Sequence, residues 1–120
     1  MKFNRLILSL ESSKKLSLLK GRTGLTPNIL CRFGLVLSLN DLSLPDPTMY
    51  KQDGLELMRH VLLGELDTVL IALFKQRAYK DGLDLKNNKV LVDYFRAHIN
   101  RGAELLYNRV KNLEDIKNML

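Results

Sequence analysis

The sequence is short of cysteine, of proline and of long apolar runs. Its one cysteine, Cys31, leaves no internal disulfide to staple a small core, and such cysteine usage matches a reducing cytosol. The longest unbroken apolar stretch, Val69 to Phe74, is far below the roughly 20 residues that a membrane helix needs. The opening segment carries Lys2 and Arg5 but no small-residue cleavage site, so no secretory signal is expected. Walker A, dinucleotide-binding, GxSxG and zinc-protease patterns are all missing. Cys31, His60 and His98 are scattered without metal-ligand spacing. A thiol within an apolar helix, or a histidine on an apolar face, is an ordinary core residue. With 120 residues, 46% of them apolar, the chain has enough core for one domain and too much for disorder. It reads as a single soluble, cytoplasmic domain over 1–120, with no catalytic residue, no metal site and no cofactor.

Acidic residues are scarce in one place. Residues 1–40 hold seven bases (Lys2, Arg5, Lys14, Lys15, Lys20, Arg22 and Arg32) against Glu11 alone, so the whole net charge of +6 falls there. Residues 41–80 and 81–120 are close to balanced. A basic excess confined to one region attracts a polyanion, most often nucleic acid. Lys2, Arg5, Lys14, Lys15, Lys20 and Arg22 are the candidate DNA-binding residues; a solvated basic face that keeps the protein soluble is the plainer alternative.

Hydrophobic patterning makes the chain mainly helical. Asn4 to Leu10 reads as a short strand that needs cover on both faces or a partner strand. Ser12 or Ser13 caps a first helix that stops at Gly21. Thr26-Pro27 starts a second, with Thr26 at the N-cap and Pro27 at the first helical position. From Ile29 to Leu39 only Arg32, Gly34 and Ser38 interrupt the apolar residues. A helix with almost no polar face is buried nearly all round, and in so small a chain the expected cover is another copy, with Gly34 letting two helices approach closely beside Phe33. Asn40 to Asp53 is a loop, and Leu55 to Leu63 fits a strand or a first helical turn. Leu66, Val69, Leu70, Leu73 and Phe74 follow helical spacing to near Tyr79. A further helix runs from about Asn88 to Ile99, Asn100-Arg101-Gly102 breaks it, and Ala103 to Lys111 resumes. Residues 113–120 add a turn or two. Residues 1–40 thus form a basic strand-helix-helix oligomerisation part, and 41–120 a helical remainder.

Two short patterns bear on chemistry. Pro45-Asp46 with Asp84-Leu85-Lys86 superficially matches a nuclease arrangement in which two carboxylates hold Mg²⁺ and a lysine assists the attacking water. That arrangement needs adjacent strands, and both segments read as loops. Gly21-Arg22-Thr23-Gly24, flanked by Lys20, is a Gly-x-x-Gly turn whose backbone N–H groups could clamp a phosphate; its glycines equally suit a tight helix connection at an interface between copies.

The order strand, short helix, glycine-bearing turn, Thr-Pro-capped helix resembles a ribbon-helix-helix unit, in which strands of two subunits pair and outward side chains read bases. Arg5 is the one strong base-reading candidate in this strand. More specifically, Leu19 to Arg32 (LKGRTGLTPNILCR), together with Leu62 to Asp67 and His98 to Leu106, resembles the DndE family, small subunits of bacterial DNA phosphorothioation systems, over nearly the whole chain. The resemblance implies a helical homotetramer that binds double-stranded DNA, preferably nicked. It would work beside the subunits that replace a non-bridging phosphate oxygen with sulfur, including a sulfur-activating, ATP-binding subunit and an ATPase of the chromosome-maintenance kind. It links the Gly21 to Gly24 turn to tetramer formation and surface lysines to DNA binding. A ribbon-helix-helix-like regulator, a DNA-nicking enzyme and a pure scaffold stay open as alternatives.

Overall fold

In the computed structural model, which describes residues 1–119, the chain opens with a short strand, β1 (Arg5–Ile7). Two helices follow, α1 (Leu10–Thr23) and α2 (Pro27–Asn40), then a loop with one 3₁₀ turn at Pro47–Met49. Leu55 to Leu63 resolves into both of its readings, a strand β2 (Glu56–Met58) running straight into a short helix α3 (Arg59–Leu63). A 3₁₀ turn at Gly64–Leu66 leads to α4 (Asp67–Lys80), then α5 (Asn88–Arg109) and α6 (Leu113–Lys117). The architecture is mainly helical with a two-stranded sheet. No helix among the described residues is long and apolar enough to cross a membrane.

The strand-helix-helix order expected of residues 1–40 is present, but the partner of β1 comes from the same chain. β1 and β2 pair antiparallel, with Leu6 opposite Leu57 and Arg5 opposite Met58. The first helix also starts earlier than serine preference suggests. Ser9, not Ser12 or Ser13, is its N-cap, its side chain accepting from Ser12 N–H. The reason is tertiary: Asn100 accepts the Ser9 N–H at 3.0 Å and Asp53 the Leu10 N–H at 2.8 Å, so distant side chains satisfy donors that a helix start leaves orphaned. Nor does the helix stop at Gly21. It runs to Thr23, and Gly24 takes the left-handed conformation (φ 77°) with its N–H on Lys20 O.

The largest departure lies in α5. Asn100, Arg101 and Gly102 do not break it; they are buried in one continuous helix that packs on α1 and α2. A Cβ placed on Gly34 would lie 2.7 Å from the Gly102 backbone, so the close approach anticipated for Gly34 is between α2 and α5 of one chain, not between copies. One turn along, Arg101 donates to Ser38 Oγ (2.8 Å) and Ser38 O (2.7 Å), and Ser38 Oγ meets His98 Nδ1 at 2.8 Å. Arg77 of α4 donates to Leu39 O and Ser43 O just beyond. Two guanidinium groups therefore cover the last carbonyls of α2, where a helix carries partial negative charge. The apolar core runs through the whole chain, from Leu6 and Leu16 through Leu30, Leu35, Leu62 and Phe74 to Phe95, Ile99 and Leu106. Cys31 lies within it, its thiol pushed up to about 12 by burial, as an inert core residue should be.

Candidate nucleic-acid interface

The six N-terminal cations do not gather on one surface. The Lys2 backbone is held by the side-chain amide of Asn88, at the start of α5, whose Oδ1 accepts its N–H and whose Nδ2 donates to its O, whereas Arg22 donates to Val110 O just beyond the end of that helix. At 1.5 Å per residue those ends are roughly 33 Å apart, in a molecule 39 Å in its longest dimension. Arg5, the base-reading candidate, is held by Glu56 of the neighbouring strand at 2.7 Å. Lys14 lines an open cleft of about 510 Å³ with Glu11, Asp53 and Glu104, so acids share its surroundings. In that cleft Tyr50 donates to Glu104 at 3.3 Å. Burial holds the Glu104 carboxyl above its ordinary range, and burial together with Glu104 pushes Tyr50 up to about 12.

Lys15 and Arg22 do come together. They lie two turns apart on α1, hence on one face, and both reach the ring of Tyr107 in α5. The Arg22 guanidinium carbon is 4.5 Å from the ring centroid and Lys15 Nζ 5.7 Å. Lys111, between α5 and α6, brings a third cation to 5.9 Å. Lys20 is exposed in the same last turn of α1. Glu11 pairs with Lys15 Nζ at 3.3 Å, Glu104 lies within the field of the same ammonium, and Asp115 accepts the Lys111 backbone N–H; no ion pair to Arg22 or Lys111 occurs among the described residues. Tyr107 and Lys111 escaped the charge argument because residues 81–120 are balanced overall. The available signal was their spacing, an aromatic and a lysine four apart at the end of a helix.

The glycine turn is not a phosphate cradle. Gly21 lies inside α1, the Gly24 N–H is bonded to Lys20 O, and the Leu25 N–H is bonded to Thr23 Oγ1 at 3.2 Å. Gly21 and Gly24 are nevertheless exposed, and a Cβ on either would meet nothing within 4 Å. Gly21 shares its outer face of α1 with Lys14, Ser17 and the half-exposed Leu18. A second outward surface lies between α2 and α4, an apolar groove of about 470 Å³ whose lining includes Ile29, Phe33, Val36, Leu37, Leu66 and Leu70. The nearly all-apolar α2 thus has α5 on one side and this open groove on the other. The nuclease-like carboxylates cap their own turns, Asp46 accepting from Thr48 and Asp84 from Lys86 N–H, and no group of three metal-type ligands is assembled among the described residues.

A family model described as DNA sulphur modification protein DndE matches residues 5–114. The fold is similar to the crystal structure of DndE from Escherichia coli B7A, described as involved in DNA phosphorothioation modification. That protein is 30% identical, with a TM-score of 0.73 over 88% of this chain and 98% of its own. A double glycine-to-lysine mutant of DndE, also described as involved in DNA phosphorothioation, is similar at 28% identity and a TM-score of 0.70, over 88% of this chain and 99% of its own. Among curated proteins, none matches the sequence.

Proposed function

We propose, because the chain belongs to the DndE family of DNA sulphur modification proteins, that it is a non-catalytic, DNA-binding accessory subunit of DNA phosphorothioation. The family and its solved relatives support the role in phosphorothioation. The observation that carries the DNA-binding reading is the gathering of Lys15, Arg22 and Lys111 on one ring, next to the exposed Lys20, with Glu11 to Lys15 the one ion pair to the three among the described residues. Each protomer offers few such cations, so a homotetramer multiplies them through effective concentration. A closed tetramer with twofold symmetry needs two different self-complementary patches. Two outward surfaces suit that need: the Ser17, Leu18 and Gly21 face of α1, and the α2–α4 groove with Phe33. A nicked duplex is the favoured ligand, since a broken strand bends cheaply onto a surface of several subunits. The other subunits of the modification system are its working partners.

Size-exclusion chromatography with light scattering, with and without nicked duplex, tests this reading. The expected outcome is a tetramer that retains nicked DNA better than intact duplex of the same sequence, less so as salt rises. Duplex held equally well by a lone protomer would refute the assembly. Mg²⁺-dependent cleavage of supercoiled plasmid that Asp84→Ala abolishes would make the protein a nicking enzyme instead. The regulator alternative loses ground to geometry: β1 is paired within the chain and Arg5 is engaged by Glu56.

A further inference from the structure

Tyr107 collects three cations from two separate pieces of the chain: Lys15 and Arg22 from α1, and Lys111 from the segment after α5. Aromatic faces attract cations, but three on one ring also repel one another, and Glu11 pairs with only one of them. Two of the three are fixed by further contacts. Arg22 donates to Val110 O at 3.3 Å, which pins the end of α1 to the end of α5. The Lys111 backbone N–H donates to Asp115 at 2.7 Å, and its ammonium makes no ion pair among the described residues. The ring is already engaged by cations, the guanidinium as near as 4.5 Å from its centroid, rather than offered to a base. What such an arrangement lacks is an anion with several oxygens, able to accept from a guanidinium and an ammonium at once.

We propose that Arg22, Lys15 and Lys111 form one clamp for a backbone phosphate of DNA, with Tyr107 as the positioning residue that holds the three cations together. The proposal rests on the DNA-binding reading above and deepens it, naming the group that the cations grip and giving Tyr107, from outside the basic N-terminal third, a positioning part. The clamp grips the sugar-phosphate chain and is blind to sequence.

The test is fluorescence anisotropy of labelled nicked duplex against the full-length chain at several salt concentrations. Arg22→Gln and Lys111→Gln should each weaken binding severalfold and reduce the slope of log affinity against log salt by about one. The loss should be equal on duplexes of unrelated sequence. Tyr107→Ala should lower the slope as well, and Tyr107→Phe, which keeps the ring, should restore it. Lys86→Gln, an exposed lysine in the turn before α5, removes the same charge elsewhere and should leave the slope alone. Circular dichroism and light scattering check fold and mass; if Tyr107→Ala fails to fold, the exposed Lys111→Gln decides. A wild-type chain that ignores duplex sinks the DNA reading and the clamp with it. Wild-type binding with unchanged slopes in both glutamine variants overturns the clamp alone. So would a loss confined to one sequence, or competition by inorganic phosphate beyond a chloride control of equal ionic strength, which would reassign the site to a free phosphate group.

Discussion

Two pairs of glycines in this protein have opposite surroundings. Gly34 and Gly102 are buried at the crossing of α2 and α5, where a Cβ on Gly102 would lie 2.8 Å from Gly34 Cα and collide with the Gly34 carbonyl group. Gly21 and Gly24 are exposed at the end of α1, and a Cβ on either meets nothing. Inside the protomer, then, the first pair is sterically required and the second is not. Gly24 has a conformational reason, its left-handed φ of 77°. Gly21 has none: it sits in a helix interior, where glycine costs about 0.5–1 kcal/mol relative to alanine. The α2–α5 crossing explains its glycines from within the chain, whereas no contact within the chain requires glycine at position 21.

The largest effect is expected at the crossing. Gly34→Ala or Gly102→Ala must push two helix backbones apart, because the atoms in the way are main chain rather than movable side chain. The separation would also strain the Ser38–His98 and Ser38–Arg101 hydrogen bonds one turn away. Destabilisation of about 3 kcal/mol or more is expected, read as a drop in the urea midpoint or as failure to express folded chain. A fully stable Gly34→Ala variant would show that the crossing tolerates what its geometry forbids.

This crossing also shows where the sequence was legible and where it was not. Helical periodicity located α1, α2 and α4, and the Thr-Pro and glycine signals placed the start of α2 and, within a turn, the end of α1. The same local rules misplace Asn100-Arg101-Gly102, because Asn100 and Gly102 weaken an isolated helix. Each of the three is instead engaged by a distant partner: Asn100 by Ser9, Arg101 by Ser38 and Ser43, Gly102 by Gly34. Ser9 is hidden as an N-cap for the same reason. In the candidate site, Lys15, Lys20 and Arg22 were legible from charge. The distance of Lys2 and Arg5 from them, and the recruitment of Tyr107 and Lys111, depend on how α1 lies along the second half of α5. Composition carries no trace of that.

A middle-sized effect comes from acid. Arg101 Nε donates to Ser38 Oγ, which in turn meets His98 Nδ1 at 2.8 Å, so the imidazole is buried beside a guanidinium. Burial first, then the nearby Arg101 and Arg77 charges against the opposing Asp41, hold His98 down at about 3. An unfolded chain protonates its histidine near 6.5, while the native site refuses the proton. Stability is therefore full above pH 6.5 and falls as pH drops toward 3, by at most about 1.4 kcal/mol per pH unit. Glu104, whose carboxyl is raised by burial, works in the opposite sense and blunts the fall where it titrates. Urea midpoints between pH 8 and 4.5 should decline in the wild type and flatten in His98→Gln. An undiminished slope in that variant would remove His98 as the cause.

The smallest effect discriminates most sharply between the two glycine pairs. In a lone protomer Gly21→Ala adds a methyl group that meets no atom, and it restores normal helix propensity, so dilute chain should gain about 0.5–1 kcal/mol. In an assembly that packs another copy against the α1 face, the same methyl group intrudes on the contact. The gain should shrink or reverse as protein concentration rises, because assembly adds to apparent stability by mass action. Melting curves of wild type and Gly21→Ala across a hundredfold range of concentration should therefore cross, with the variant ahead when dilute and behind when concentrated. Curves that stay parallel, with alanine better throughout, would mean that nothing approaches Gly21. The open glycine would then need a reason other than a second copy, and the α2–α4 groove alone would have to account for self-association.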